Sequence, residues 1–514
     1  MNLKGIICLA LFTLLGTSAA SGHPQEGDSI LNLKIARESA IGKSQRSYYY
    51  SGAATMHFAD KSNFSSAALT ADIRKFDSPV TVQEGSGHNH YGLTAESYHK
   101  LSAVSTVWGH AGYHIGKTHD IALCDVVGYE TIAPFVAGDD TGGDLSHQRY
   151  DFGGGWGRTY GAWALGIGAD YSAAIAHRAI DPRVRNIVSH LKVRLGGARR
   201  LSRGYILGAN CGFSVYHQDT DVDFYNSTTH AITMVLTGLG STANRFKGAD
   251  AQSTTHKLTG INATLQLVPV SSGGDSFYAT VTGETAGADL ILDGYNNLKF
   301  GSTKTRTFEG RLSRHVTSGG FSLFPTVTAY YFNRVATENL FGSSAENYEK
   351  IGRRENYHHD RYGASLEIPV SRLLRNHQTT ITLDFQAGYL HDKEYLTEPA
   401  RSLESGIVTS SVTLEVTKML GRHWALGLKL GYDGRIVKST SAAWGGLDLT
   451  SPEGEMTLHN YKMSSCDVNA LHGSLTLSRA LRRSAVSLSA RYERYDYRNL
   501  NKGQQFVTGL SLSF

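Results

Sequence analysis

Proline is nearly missing from this chain, 9 residues in 514, and no Pro-rich or Ser-rich linker interrupts it. A length that could hold several soluble domains therefore lacks the boundaries that would separate them. The same scarcity suits paired central strands, which cannot spare a backbone donor. Cysteine is equally sparse at 4, without the paired spacing of a zinc site. Beyond the first twenty residues no continuous apolar run reaches the length of a transmembrane helix, which excludes crossing a bilayer by helices. Neither sign of charge dominates: 50 basic against 45 acidic residues gives +5, and that balance makes no case for a nucleic-acid partner.

What is present points another way. Lys4, the apolar stretch from Gly5 to Leu15 and the small residues Ser18, Ala19 and Ala20 read as a secretory signal over residues 1–20. Removing it takes away one Lys and leaves about +4 (+5 − 1). Glycine is abundant at 56 and tyrosine at 27, which suits tight barrel curvature and interfacial aromatic girdles. Ile381, Leu383, Phe385, Ala387 and Tyr389 alternate with Thr382, Asp384, Gln386 and Gly388. Trp163, Leu165, Ile167, Ala169 and Tyr171 repeat the pattern, as do Val412, Leu414 and Val416, and Trp424, Leu426, Leu428, Leu430 and Tyr432. Successive strand residues face opposite sides. These runs approach the roughly 9 to 11 residues a tilted strand needs to cross a bilayer, longer than the roughly 5 to 6 of a soluble sandwich.

The predicted fold is all-β: an antiparallel transmembrane β-barrel with short periplasmic turns, long extracellular loops and both termini periplasmic. Short turns are placed at Gly153–Thr159, Arg199–Arg203, Val270–Gly274, Val316–Gly319, Ser371–Asn376, Leu420–His423 and Leu481–Ser484. Loops are placed at Ile115–Ser146, His177–Arg185, Asp219–Thr255, Thr285–Thr303, Arg334–Tyr357, Lys393–Glu404 and Ser439–Ser465. The tally is about 18 strands, with 16 as the alternative. Residues 66–514 form the barrel, and residues 21–65 an extension with an apolar-faced stretch at Ile30, Leu31, Leu33, Ile35 and Ala36 that either sits in the lumen or leads to the first strand. The arginines of the short turns, among them Arg199, Arg200, Arg203, Arg372, Arg375, Arg422, Arg482 and Arg483, read as headgroup anchors.

Several stretches carry a family resemblance: Tyr91-Gly-Leu-Thr-Ala-Glu-Ser-Tyr98, Val107-Trp108-Gly-His-Ala-Gly-Tyr113, Gly142-Gly143-Asp144, and Ala179-Ile-Asp181-Pro182-Arg183-Val-Arg-Asn186. With these the chain resembles an uncharacterised outer-membrane β-barrel family of the Bacteroidota, departing from its pattern at Val184, where the family has Pro. The resemblance implies location and fold, and work beside surface lipoproteins or TonB-dependent receptors. It supplies no catalytic residue.

By strand phase, Asp170, Glu367, Asp384, Glu415, Lys429, Asp433, Arg491 and Glu493 point into the lumen, where a charge must meet water or a partner. An open lumen so lined would favour cations modestly; paired charges would lock loops or the extension in place. Asp219, Asp221 and Asp223 alternate at the start of the longest loop and are candidate Ca²⁺ ligands. Phe224 and His230 break the EF-hand pattern, which leaves a looser site shared with Asp139, Asp140 and Asp144. In Tyr357-His358-His359-Asp360 adjacent histidines face opposite ways, so both cannot enter one site, and they read as surface-loop residues, as do His88 and His90. Cys211 shares the lipid-facing phase of Leu207 and Phe213 and reads as a small buried hydrophobe; Cys124 and Cys466 fall in or near loops, where they could pair. No Gly-x-Ser-x-Gly elbow stands at a strand-to-helix turn, and no cofactor or enzymatic activity is expected. The resulting function is outer-membrane transport or uptake, as a channel or as the barrel partner of a surface lipoprotein or TonB-dependent receptor, in contact with outer-membrane lipid and lipopolysaccharide. The alternatives are a structural barrel with a blocked lumen and, less favoured, a membrane-embedded hydrolase.

Overall fold

The computed structural model describes residues 27–201, 204–226, 231–248, 252–271, 274–342, 348–374 and 378–514. The signal at 1–20, residues 21–26 of the extension, and Arg203, His230, Arg375 and Asn376 lie outside the described residues.

Alternation and glycine-containing turns produce 18 long antiparallel strands. In chain order these are β1 Phe64–Phe76, β2 Gly87–Ser102, β3 Ser105–Ile121, β4 Gly143–Tyr160, β5 Trp163–His177, β6 Arg183–Arg200, β7 Tyr205–Asp223, β8 Thr254–Pro269 and β9 Ser276–Leu292. They continue as β10 Leu298–Ser318, β11 Thr326–Phe341, β12 Lys350–Leu373, β13 Thr379–Leu396, β14 Arg401–Leu420, β15 Trp424–Ala443, β16 Val468–Ala480, β17 Ala485–Tyr497 and β18 Asn501–Ser513. The barrel closes where β1 pairs with β18, from Ser66 opposite Ser513 to Phe76 opposite Gly503. Closure leaves no long edge to pair with another chain. The outer face is apolar and exposed, with Trp163 55% and Leu430 51% accessible, as a lipid-facing surface requires. No helix among the described residues is long and apolar enough to cross a membrane.

Strands run 13 to 24 residues, well past the roughly 9 to 11 that a bilayer demands. This overturns several expected boundaries. The loop expected at Thr285–Thr303 shrinks to the residues between Leu292 and Leu298, those at Ile115–Ser146, Arg334–Tyr357 and Lys393–Glu404 are eaten into from both sides by strand, and that at Ser439–Ser465 is entered by strand only as far as Ala443 and carries a helix over Pro452–Ser464. The turn expected at Gly153–Thr159 is a further correction, because the segment lies inside β4. Its glycines make room for rings on β3: a Cβ at Gly153 would meet the His110 ring at 2.2 Å, and one at Gly155 the Trp108 ring at 2.3 Å. The actual turn is tighter, with Gly161 at φ +60°, a conformation that glycine adopts without cost.

One end of the barrel carries the short turns and both barrel termini, with the Ser65 N–H donating to the Phe514 carbonyl. The segment before β1 sits inside this turn end. It forms α1 (Gly27–Glu38), α2 (Ala40–Tyr50), capped by Ser39 accepting from the Gly42 N–H, and a 3₁₀ turn at Thr55–Phe58. At the opposite end the loops fold inward. Strands Val136–Asp139, Thr233–Gly238 and Ser241–Thr242 make a small sheet, beside α3 (Pro452–Ser464). Their apolar side chains pack on the inner wall: Val136, Met234 and Leu236 with Val188 and Tyr216, and Phe135, Val235 and Phe246 with Leu290, Phe300 and Tyr357.

Candidate functional site

The site is the lumen, bounded by a floor and a roof. Floor contacts run right around the ring. Lys34 Nζ donates to Ser511 on β18, and Ile30 and Leu31 pack on Ala480 and Ala485 at the β16–β17 turn. Tyr48 bonds Ser313 on β10, the Tyr49 hydroxyl donates to the Pro269 carbonyl at 2.7 Å, and the Ala53 N–H donates to Asn210 on β7 at 3.0 Å. His57 meets Thr106 on β3, and the Tyr98 hydroxyl of β2 donates to the Met56 carbonyl at 2.9 Å. Tyr48 and Tyr49 are fully buried among Tyr278 and Phe324, and burial of each such ring contributes about 1.5–3 kcal/mol. Small wall residues shape the seat: a Cβ at Gly166 would lie 2.4 Å from the Ala53 carbonyl. Above the floor a cavity of about 220 Å³ is lined by Arg37, Tyr50, Glu96, His110, Asp170 and Arg194.

The sequence-derived wall residues fall into charge pairs and two acids, Asp384 and Glu367, without an ion pair among the described residues. Asp170 accepts from Arg194 at 2.8 Å, Glu415 pairs with Lys429 at 2.9 Å, Glu493 with Arg491 at 2.6 Å, and Asp433 with His472 at 3.1 Å. Asp384, with Glu367 and Glu415 nearby, has one carboxylate oxygen without a hydrogen-bond partner. Asp219, Asp221 and Asp223 lie in β7 rather than a loop. Asp219 bonds Thr255 and His217, and Asp221 bonds Arg185. They are not brought together with Asp139, Asp140 or Asp144, which bond Arg178, the Ile232 N–H and Lys117 respectively. Cys124, Cys211 and Cys466 are all free thiols, so Cys124 and Cys466 do not pair; Cys124 is buried in the roof, and Cys211 is exposed on the outer face.

The roof is latched by charge. Arg178, just past β5, forms ion pairs with Asp125 and Asp139, and all three are buried. It also donates to the Pro182 carbonyl, while Asp139 accepts from the Thr141 and Gly142 N–H groups. Burial, with the neighbouring Asp139 carboxylate, pushes the Asp125 carboxyl well up. The burial that would raise Asp139 is outweighed by hydrogen bonds with Asp125, Arg178 and the Gly142 N–H, and its carboxyl is held low.

Sequence reasoning named Asp433 and Glu493 but missed His472 beside them, and missed the group that His359 forms with Asp392 and Glu394. Among the described residues two triplets bring three metal-ligating atoms within 4.8 Å of one another: His359, Asp392 and Glu394, and Asp433, His472 and Glu493. His359 lies in β12 rather than a surface loop. Its phase is that of Glu367, and Asp392 and Glu394 share the phase of Asp384, so extending both strands past their expected ends was the available signal. His88 and His90 likewise lie in β2, rings stacked 3.9 Å apart.

Among solved structures the chain is similar to the ferric enterobactin receptor from Pseudomonas aeruginosa at 9% identity and TM-score 0.40, covering 88% of this chain and 80% of that one. It is also similar to the ferric-catecholate import receptor Fiu from E. coli K12 at 9% identity and TM-score 0.37, covering 87% of this chain and 81% of that one. A third is the outer membrane transporter YddB from Escherichia coli, at 10% identity and TM-score 0.38, covering 87% and 80%. Among curated proteins no match was found. Residues 53–514, the last floor residues and the whole barrel, match the model of one protein family, and the chain thereby belongs to DUF6850, a family of unknown function.

Proposed function

We propose that this chain is an outer-membrane barrel of an uptake system, closed at rest by its own N-terminal segment and infolded loops, so that a solute passes only when the floor moves. The observation that carries this is the strapping of the floor segment to strands on every side of the ring. An 18-stranded barrel leaves room for an aqueous channel unless something fills it, and a charged inner wall suits water rather than a packed core. The floor segment is too short to fold alone, so the force that displaces it comes from outside the chain. A surface lipoprotein or a TonB-dependent receptor is the partner this reading expects. Arginines stacked on exposed rings at the turn end, Arg199 over Trp163, Arg372 over Phe321 and Arg479 over Trp424, support a periplasmic turn end seated in phospholipid headgroups. The opposite rim then meets lipopolysaccharide.

In planar bilayers the full chain is expected to pass no steady current, while the chain lacking residues 27–58 gives stable single-channel steps. Steps of equal size from both would make the protein an open diffusion channel. Silence from both, with the truncated barrel still folded by heat-dependent gel migration, would make it a structural barrel.

A further inference from the structure

Beneath the roof, β12 and β13 converge on an arrangement that goes beyond the uptake reading and does not depend on it. Asp392 and Glu394 are two residues apart on one strand and so share a face, and His359 stands directly opposite Glu394 in register. The His359 imidazole is buried; its Nε2 lies 2.8 Å from Asp392 Oδ1 and 3.9 Å from Glu394 Oε1. The other oxygen of each carboxylate is already held. Arg361 Nε donates to Asp392 Oδ2 at 2.7 Å, and the Tyr357 hydroxyl donates to Glu394 Oε2 at 3.0 Å. One oxygen of each acid is thus left turned toward the imidazole nitrogen, with its partner oxygen fixed from behind, as outer-shell groups orient metal ligands.

The surroundings favour a cation. A cavity of about 250 Å³ adjoins the triplet, lined also by Glu84, Glu130 and Asn460, with Arg361 the one arginine among its lining residues. On the outer face of the same strands the residues change from Tyr362, Phe385 and Tyr389, all exposed, to His358, Asp360 and Lys393. The triplet therefore sits above the lipid band, where water and ions reach it. We propose that His359, Asp392 and Glu394 bind a first-row divalent metal ion. One imidazole and two carboxylates make a mixed nitrogen and oxygen donor set suited to Zn²⁺, Mn²⁺ or Fe²⁺. The remaining coordination positions open on the cavity and take water or a donor atom of a solute. The ion's two positive charges balance the two ligand carboxylates, with Arg361 and Tyr357 as positioning residues. In the other triplet the Asp433 side chain is 42% accessible and the imidazole lies between Asp433 and Thr413, which makes it the control.

The test is a Co²⁺ titration of the full chain, purified in detergent and stripped with chelator, followed by absorption and by Zn²⁺ displacement. The wild type is expected to bind one Co²⁺ per chain at this site with ligand-field absorption. H359Q loses that band and binds at least about 100-fold more weakly, and Y357F, which keeps the ring packing, binds about 10-fold more weakly. H472Q leaves the band unchanged. Absence of a band in the wild type, an H359Q titration identical to wild type, or loss of the band in H472Q would each overturn the assignment. Should H359Q fail to fold, the Y357F comparison decides: an unchanged affinity there overturns it as well.

Discussion

Replacing Arg178 with alanine is expected to release the roof at a cost of about 3–5 kcal/mol, because it strands the Asp139 carboxylate, held low beside the raised Asp125 carboxyl, in a buried site without its cation. Residues 121–142 would lose the hold of Arg178 on the hairpin between β5 and β6. Hydrogen exchange of the Val136–Asp139 strand reads this directly, with protection lost in R178A while barrel strands stay protected. The pH dependence has a definite sign. With its carboxyl raised on docking, Asp125 binds a proton in the docked roof that it would release when undocked. Its contribution is complete below the ordinary carboxylate range and is lost as pH rises through the raised value. Asp139, held low, acts oppositely: its contribution is present above the ordinary carboxylate range and is lost as pH falls through the lowered value. D125N, which keeps the neutral form at every pH, is expected to flatten the alkaline loss. An alkaline loss unchanged in D125N would remove Asp125 from the latch.

The second large effect is at the floor. A leucine at Gly166 would drive carbon into the Ala53 backbone, where even a Cβ would stand 2.4 Å from the carbonyl and 2.6 Å from the Ala54 nitrogen. Backbone cannot yield as a side-chain tip does, and overpacking of this kind costs about 1–3 kcal/mol or more. G166L is expected to expose Lys43 and Arg46 to trypsin and to give channel steps in bilayers, with the barrel intact. Gly197 offers the control. It lies on the outer face, and a Cβ there would find only Leu165 at 3.9 Å, so G197A keeps the wild-type digestion pattern. Protection of Lys43 in G166L would mean that the floor is not seated on β5.

Much of the barrel was legible in the sequence because one physical pattern, alternation against lipid, repeats in nearly every strand. The eighteen strands and outward rows such as Trp163 to Tyr171 follow from it. Strand ends were not legible. Lipid enforces alternation of apolar residues only inside the bilayer, and above it both faces of β12 and β13 turn polar, which made Tyr357 and Lys393 look like loop. That misreading put Glu394 in a loop and His359 at a strand's outer end, and so hid their meeting with Asp392. The floor escaped for another reason: Tyr48, Tyr49 and Ala53 are buried against wall residues 157 to 265 positions away, Asn210, Pro269 and Ser313, and no local period reports so distant a contact. The glycines of β4 resemble a turn in sequence because a residue without a side chain also serves where a neighbouring ring lies flat.

The central claim is that the N-terminal segment closes the barrel from inside, and an experimental density map of the full chain in mild detergent or nanodiscs tests it most directly. The expected result is helical density for residues 27–50 across the turn end, with the Tyr49 ring against the Pro269 carbonyl. A lumen open from end to end, with the segment outside the barrel, would contradict it.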